Sequence, residues 1–108
     1  MKRASRPGGE LAMWLLKQLA VDEQTARSMH AIENLQSRWS PDRLIARCEA
    51  TRKVVKLYMN ALHAVQAGSL NSRNRTQDEA AEDVLAAAVR ALAEPYADKP
   101  GYREQWRP

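Results

Sequence analysis

Glycine and proline, the residues that break helices most strongly, are absent from three long stretches of this chain. No Gly or Pro lies between Gly9 and Pro41, between Pro41 and Gly68, or between Gly68 and Pro95. Because these two residues interrupt helices most strongly, such stretches favour long helices. Apolar residues within them recur mainly at spacings of three, four and seven, which is the helical period. The sequence therefore predicts an all-α fold, a three-helix antiparallel bundle with an ordered, irregular C-terminal tail.

The three predicted helices cover residues of about 10–38, 41–66 and 77–93. Ser40-Pro41-Asp42 is a strong start signal for the second helix, with a capping hydroxyl, proline at the first helical position and an acid in the first turn. Gly68 is expected to end that helix. Thr76 and Glu79 have the spacing of a capping box, which predicts that the third helix begins at Gln77, after a mobile loop of about 67–75.

Each predicted helix has an apolar face. In the first helix this face includes Leu11, Trp14, Val21, Met29, Ile32 and Leu35. In the second it comprises Leu44, Cys48, Thr51, Val55, Tyr58, Leu62 and Val65. In the third it is narrow and rich in alanine, with Ala81, Val84, Leu85, Ala88, Ala91 and Leu92. We expect these faces to form one modest core, because about 100 residues support a single domain.

The start of the first helix carries more apolar surface than a helical hairpin can cover. Trp14, Leu15, Leu16 and Leu19 lie on two faces of this helix rather than one. Either the third helix and the tail cover the second face, or a second copy of the chain does so in a symmetric homodimer. Both alternatives remain open at this point.

The chain is expected to form a single domain. Residues 1–9 are predicted to be a disordered basic leader, residues 10–108 a single helical domain, and residues 94–108 its aromatic and proline-containing tail. The apolar run Leu11–Leu16 ends at Lys17 and is too short for a signal peptide or a membrane span, so no membrane partner is expected.

Composition argues against catalysis and against a metal or other cofactor. Cys48 is the single cysteine, so no internal disulfide can form, and with His30 and His63 it does not match the spacing of a zinc site. Cys48 lies within the apolar stripe of the second helix, which favours a buried small side chain over a nucleophile. We therefore expect a protein of a reducing cytoplasm that is not an enzyme and has no cofactor.

Nucleic-acid binding is the less favoured alternative. The net charge is +4, and the second helix is rich in basic residues. Arg52, Lys53 and Lys56 share its polar face and are candidates for phosphate contacts. Arg43 and Arg47 flank the apolar stripe, where we expect them to pair with acids of the third helix. The spacing of a helix-turn-helix motif is absent, and a solvated basic face is the commoner explanation of this pattern.

The tail carries an unusual share of the aromatic residues. The residues singled out there as candidates for binding or for folding back are Tyr96, Asp98, Pro100, Tyr102, Arg103, Trp106 and Arg107. In one interpretation the rings fold back over the helix ends and cover apolar edges. In the other, prolines hold the tail extended as a recognition strip for a partner. The two interpretations are compatible, and we expect folding to come first and binding second.

Two segments carry a family resemblance: SPDRLIARCEATRKVVKLY (residues 40–58) and ALAEPYADKPGYREQWRP (residues 91–108). They resemble a family of small uncharacterised proteins of actinobacteria and their phages, described only as a domain of unknown function, with an ending like ALPYADHPDYRxxWRP. The chain departs from that ending at Glu94, Lys99 and Gly101. The resemblance implies a bacterial host cytoplasm and no known activity.

These observations together predict a non-enzymatic, helical protein-binding module. If its origin matches the resemblance, a regulator of a host or phage protein is the natural hypothesis. The partner itself is not identified by the sequence.

Overall fold

The computed structural model describes residues 7–30, 41–68 and 72–108, most of which are helical. The helices are α1, Pro7–His30, α2, Pro41–Ala67, and α3, Ser72–Ala93. Two short 3-10 turns follow in the tail, Glu94–Tyr96 and Glu104–Trp106. No described residue lies in a β-strand, so the predicted all-α three-helix fold is confirmed.

The helices run antiparallel, and α2 is the central one. The start of α1 faces the end of α2, since a Cβ atom on Gly9 would lie 3.4 Å from Leu62 Cδ2. Farther along α1, Glu23 pairs with Arg52 near the middle of α2. α2 packs extensively against both other helices, whereas α1 and α3 touch each other much less. The core is therefore a thin layer on both sides of α2.

The core contains mainly medium-sized and small side chains. Its buried members are Leu11, Ala12, Leu15, Leu19, Cys48, Val55, Tyr58, Leu62, Val89, Ala93 and Trp106. The stripe predicted for α2 is confirmed, with four of its residues buried and Leu44, Thr51 and Val65 half-buried. Trp106, from the tail, belongs to the same core as the helices.

The boundaries of α1 and α2 can be compared with the prediction at three points. α1 begins at Pro7, so the disordered leader predicted for residues 1–9 was wrong for residues 7–9. Pro7 suits a first helical position, because its missing amide would be unpaired there. Residues 1–6 and 31–40 lie outside the described residues, and with them the predicted helix end near 38, Ile32 and Leu35. Gly68 follows α2 as expected, with φ of +73°.

The third helix starts earlier than predicted. α3 begins at Ser72, so residues 72–75 are helical rather than part of a mobile loop of 67–75, and Thr76 lies inside the helix rather than at its cap. The sequence between Ser72 and Thr76 contains no Gly or Pro to stop the helix from extending. Ala67 is the last residue of α2, and the rest of the predicted loop, residues 69–71, is outside the described residues.

Two predicted core faces were wrong in detail. Val21 is 59% exposed and Val84 is 70% exposed, and Ala81 and Ala91 are exposed as well. The buried face of α3 contains Glu82 instead, together with Val89 and Ala93. The prediction considered only apolar residues, so it passed over the buried Glu82. It therefore placed the buried face of α3 about one residue away from its actual position, or roughly 100° around the helix.

Candidate functional site

Three aromatic rings join the tail to the first half of α1. The ring centroids of Trp14 and Tyr102 are 5.6 Å apart, those of Trp14 and Trp106 5.5 Å, and those of Tyr102 and Trp106 5.6 Å. Each pair is edge-on or tilted, the arrangements that aromatic quadrupoles favour. Trp106 is only 3% exposed, and Tyr102 and Trp14 are half-buried. We call this set of three residues the ring cluster.

A glycine lets the tail backbone pass close to Trp14. The indole Nε1 of Trp14 donates a hydrogen bond to the carbonyl oxygen of Pro100 over 3.1 Å. The next residue, Gly101, has φ of +91°, in the region that side chains disfavour. A Cβ atom at this position would lie 2.7 Å from Trp14 Nε1. Glycine at 101 is therefore required by both the backbone conformation and the space available.

Charged residues hold the outer side of the ring cluster. Arg103 Nη1 lies 2.5 Å from Glu10 Oε2 at the start of α1. Arg107 is bonded to Glu104 at 2.7 Å, one helical turn away in the sequence. The guanidinium of Arg103 stands 5.6 Å from the ring centre of Trp106, and that of Arg107 stands 6.0 Å from the ring of Tyr102. Both arginines are about half exposed and remain accessible from solvent.

Tyr96 attaches the beginning of the tail to the middle of α1. Its hydroxyl donates a hydrogen bond of 2.5 Å to Asp22 Oδ2. Burial raises the pKa of the Tyr96 phenol, and the hydrogen bond to the negative carboxylate of Asp22 raises it further. The neutral phenol is therefore the form that the folded protein stabilises.

Replacing Tyr96 with Phe is expected to lower the free energy of unfolding by about 1 kcal/mol at neutral pH, because one side-chain hydrogen bond is lost. Since the folded protein raises the pKa of Tyr96 above its ordinary value of 10.0, this contribution is complete below that pH and declines as pH rises beyond it. Urea unfolding between pH 7 and 11 measures the effect. A difference between wild type and variant that stays constant above pH 10 would contradict it.

The residues predicted as a tail site divide into rings that pack on the helices and residues that are exposed to solvent. Tyr96, Tyr102 and Trp106 turn inward onto the helices, whereas Asp98, Pro100, Arg103 and Arg107 are exposed. This arrangement corresponds to the fold-back interpretation rather than to an extended strip. It also means that, around Trp14, the second apolar face of α1 is covered by the tail of the same chain.

The structure separates the three predicted phosphate-contacting residues. Lys53 and Lys56 are exposed on α2, but the guanidinium of Arg52 is half-buried and bonded to Glu23 of α1. Glu23 is buried and lies 3.7 Å from a second cation, Arg27. The hydrogen bond from Arg52 raises the pKa of its guanidinium further. Arg52 thus joins two helices, and only the two lysines of the predicted set point freely to solvent.

A model described as a family of unknown function, DUF6221, matches residues 8–108. The chain belongs to this family. No curated protein and no solved structure matches it. This membership confirms the predicted resemblance to a family described only as one of unknown function, and it assigns no activity to the chain.

Two concave regions flank the tail of this DUF6221 member. The first, which we call the groove, has a volume of about 540 Å³ and is lined by residues that include Met13, Trp14, Lys17, Leu62, Arg103 and Trp106. The second, which we call the cavity, has a volume of about 510 Å³ and is lined by residues that include Leu19, Asp22, Arg47, Cys48, Leu92 and Tyr96. Both volumes fall in the range of ligand-binding sites.

Within the described part of the chain, no cluster of three or more His, Cys, Asp or Glu side chains is placed to hold a metal ion. Cys48 is buried, and the pKa of its thiol is raised by burial and by the negative charges of Asp22 and Glu23. A raised pKa disfavours the thiolate, which is the nucleophilic form. The helices among residues 7–30, 41–68 and 72–108 all lack an apolar run long enough to cross a membrane.

Sequence reasoning missed three groups that shape the site. Asp22 and Glu23 were not singled out, although both contact residues far away in the sequence, Tyr96 and Arg52 respectively. Gly101 was noted only as a departure from a motif. Adjacent acids at the centre of an otherwise apolar helix face were the available signal for the first two, because a carboxylate on such a face requires a partner.

Proposed function

We propose that this protein is a small helical module that binds another protein, and that the groove is its contact surface. The observation that carries this proposal is the chemistry of the groove. Met13 is 52% exposed at its edge, and Trp14 and Trp106 form its aromatic wall. Lys17 supplies positive charge, and Arg103 lines the groove as the partner of Glu10. Aromatic residues, methionine and arginine are the types enriched in protein interfaces.

The rigid tail supports this proposal in a particular way. Because Trp106 is buried and Trp14 is tied to Pro100, the groove is formed before any partner arrives. A preformed surface avoids the entropy cost of ordering a flexible strip upon binding. The tail then acts as a wall of the binding surface, and its exposed Arg103 contacts the partner at the rim.

The expected partner is a protein of the bacterial cytoplasm. The sequence resemblance to proteins of actinobacteria and their phages makes a host or phage protein under regulation the natural candidate. The sequence shows no motif typical of a catalytic site, and the buried Cys48 thiol has a raised pKa, which disfavours its nucleophilic form. Both observations support a binding role over an enzymatic one.

A second copy of the chain is the simplest partner that the groove could receive. Light scattering during size-exclusion chromatography distinguishes a homodimer from a monomer.

Met13→Glu is expected to reduce the amount of captured partner at least tenfold, because a charge replaces the exposed apolar edge of the groove. The measurement is an affinity pull-down from actinobacterial lysate with nuclease treatment, at low and high salt, read by mass spectrometry. Val84→Glu is the matched control, since Val84 is also an exposed apolar residue but lies on α3, outside the groove.

The outcomes of this pull-down separate the two candidate functions. A protein that is retained at high salt, and lost with Met13→Glu but not with Val84→Glu, supports the groove. Equal capture by both variants would contradict it. Binding that disappears with nuclease or salt would favour the alternative, an accessory nucleic-acid-binding role. In that case the exposed Lys53 and Lys56 supply the contacts, without Arg52.

A further inference from the structure

The cavity lies where all three helices meet the beginning of the tail. Leu19 of α1, Leu44 and Cys48 of α2 and Leu92 of α3 contribute its apolar lining, and Tyr96 contributes from the first 3-10 turn. It is separate from the groove, with which it shares none of these residues. A concave apolar site with a few polar groups directed at it is the usual form of a small-molecule site.

Two opposite charges line this cavity without pairing. Asp22 of α1 is half-buried and accepts a hydrogen bond from the neutral Tyr96 hydroxyl, but it forms no ion pair with any described residue. Arg47 of α2 is exposed at the rim, and it likewise has no ion pair or hydrogen bond within the described ranges. Charged groups at the edge of an apolar site are stabilised by ion-pair partners, and neither Asp22 nor Arg47 has such a contact within the described ranges.

The other charges at the rim do not change this pattern. Lys99 and Asp98 are neighbours in the tail, both exposed, and they balance each other in net charge. Glu23 does not line the cavity and is paired with Arg52, so it leaves this pattern unchanged. Asp22 is therefore the acid that α1 contributes to the cavity, and Arg47 provides a positive group at its rim.

We infer that the cavity binds a small zwitterion with an apolar body, of the class of apolar α-amino acids. The ammonium group would pair with Asp22, the carboxylate would pair with the guanidinium of Arg47, and the apolar side chain would lie against Leu44 and Leu92. An arginine is well suited to the second contact, because its planar donors match a carboxylate. This ligand satisfies both unpaired charges at once, which neither a simple anion nor a simple cation does.

The test uses L-phenylalanine as the probe, with two analogues that each lack one charge. 3-Phenylpropionate lacks the ammonium group, and phenethylamine lacks the carboxylate. Amide chemical shifts of the ¹⁵N-labelled full chain are followed during titration with each compound at constant pH and ionic strength. We expect saturable shifts at Leu44, Cys48 and Leu92 with L-phenylalanine, and at least tenfold weaker binding of each analogue.

A substitution at Arg47 tests whether this residue binds the carboxylate of the ligand. Arg47→Gln is expected to weaken L-phenylalanine binding about tenfold while leaving the binding of phenethylamine unchanged, since that analogue has no carboxylate. Lys56→Gln is the matched control, an exposed cation on the same helix but outside the cavity. Thermal unfolding of both variants verifies that they remain folded. The inference is overturned by the absence of saturable shifts, by equal binding of either analogue, or by an equal loss with Lys56→Gln.

Discussion

Trp106→Ala is expected to lower the free energy of unfolding by about 3–5 kcal/mol, the usual cost of truncating a large aromatic side chain in a core. The indole is 3% exposed and packs against Trp14 and Tyr102. Its removal leaves a hole in the ring cluster and uncovers the apolar face of α1. Since domains of this size are stable by only about 5–15 kcal/mol, the loss is a large fraction of the total. Urea unfolding followed by circular dichroism measures it.

A phenylalanine at the same position provides the control. The Nε1 atom of Trp106 is buried and has no hydrogen-bond acceptor among the residues that the structure describes. Trp106→Phe therefore removes volume but keeps an aromatic ring in the cluster, and we expect it to cost markedly less than Trp106→Ala. If Trp106→Ala lowered the free energy of unfolding by less than about 1 kcal/mol, the tail would not be part of the core. The alternative interpretation of the tail as an extended recognition strip would then be favoured.

Gly101→Ala is expected to cost about 2–3 kcal/mol, from two sources that act together. The φ angle of +91° is one that an L-residue rarely adopts, and such backbone strain costs about 1–3 kcal/mol. The added methyl group would also lie 2.7 Å from Trp14 Nε1, so the indole must move and its hydrogen bond to Pro100 is disturbed. Thermal unfolding measures the loss, and the near-ultraviolet circular dichroism of the tryptophans reports the displacement.

Gly68 separates these two sources. It also has a positive φ angle, +73°, but a Cβ atom there would meet nothing within 4 Å. Gly68→Ala therefore carries the backbone strain alone, about 1 kcal/mol, and should leave the near-ultraviolet spectrum unchanged. If Gly101→Ala and Gly68→Ala lost equal stability and had equal near-ultraviolet spectra, the close approach of Gly101 to Trp14 would contribute nothing to the cost of Gly101→Ala.

The sequence predicted the helices well where the signals were local. α2 begins at Pro41 and Gly68 follows its end, as predicted, and the stripe from Leu44 to Val65 faces the core as expected; Ser40, the predicted cap, lies outside the described residues. The same local reasoning was wrong at Thr76, because a capping-box pattern can occur inside a helix when no breaker precedes it. A capping pattern therefore predicts the start of a helix reliably only when a helix-breaking residue lies directly before it.

The site was less predictable, because its contacts join residues far apart in the chain. The aromatic residues of the tail were singled out and Trp106 is buried, yet nothing in their spacing indicated that Trp14 would be the ring that Tyr102 and Trp106 pack against. Similarly, Arg52 was grouped with Lys53 and Lys56 by position on a helix wheel, whereas its actual partner is Glu23 of another helix. A wheel describes one helix and contains no information on the charge that a neighbouring helix presents.

The contacts of the tail also determine the order in which this chain can assemble. Each helix packs on its neighbour in the sequence, which requires only modest loop closure. By contrast, the bond from Trp14 to Pro100 joins residues 86 positions apart, and the pair Glu10 and Arg103 spans 93 positions. Closing such long loops is entropically costly until the helices have brought the two ends together. The ring cluster is therefore expected to form after the folding transition state, so its contacts slow unfolding and govern the lifetime of the native state rather than the speed at which it is reached.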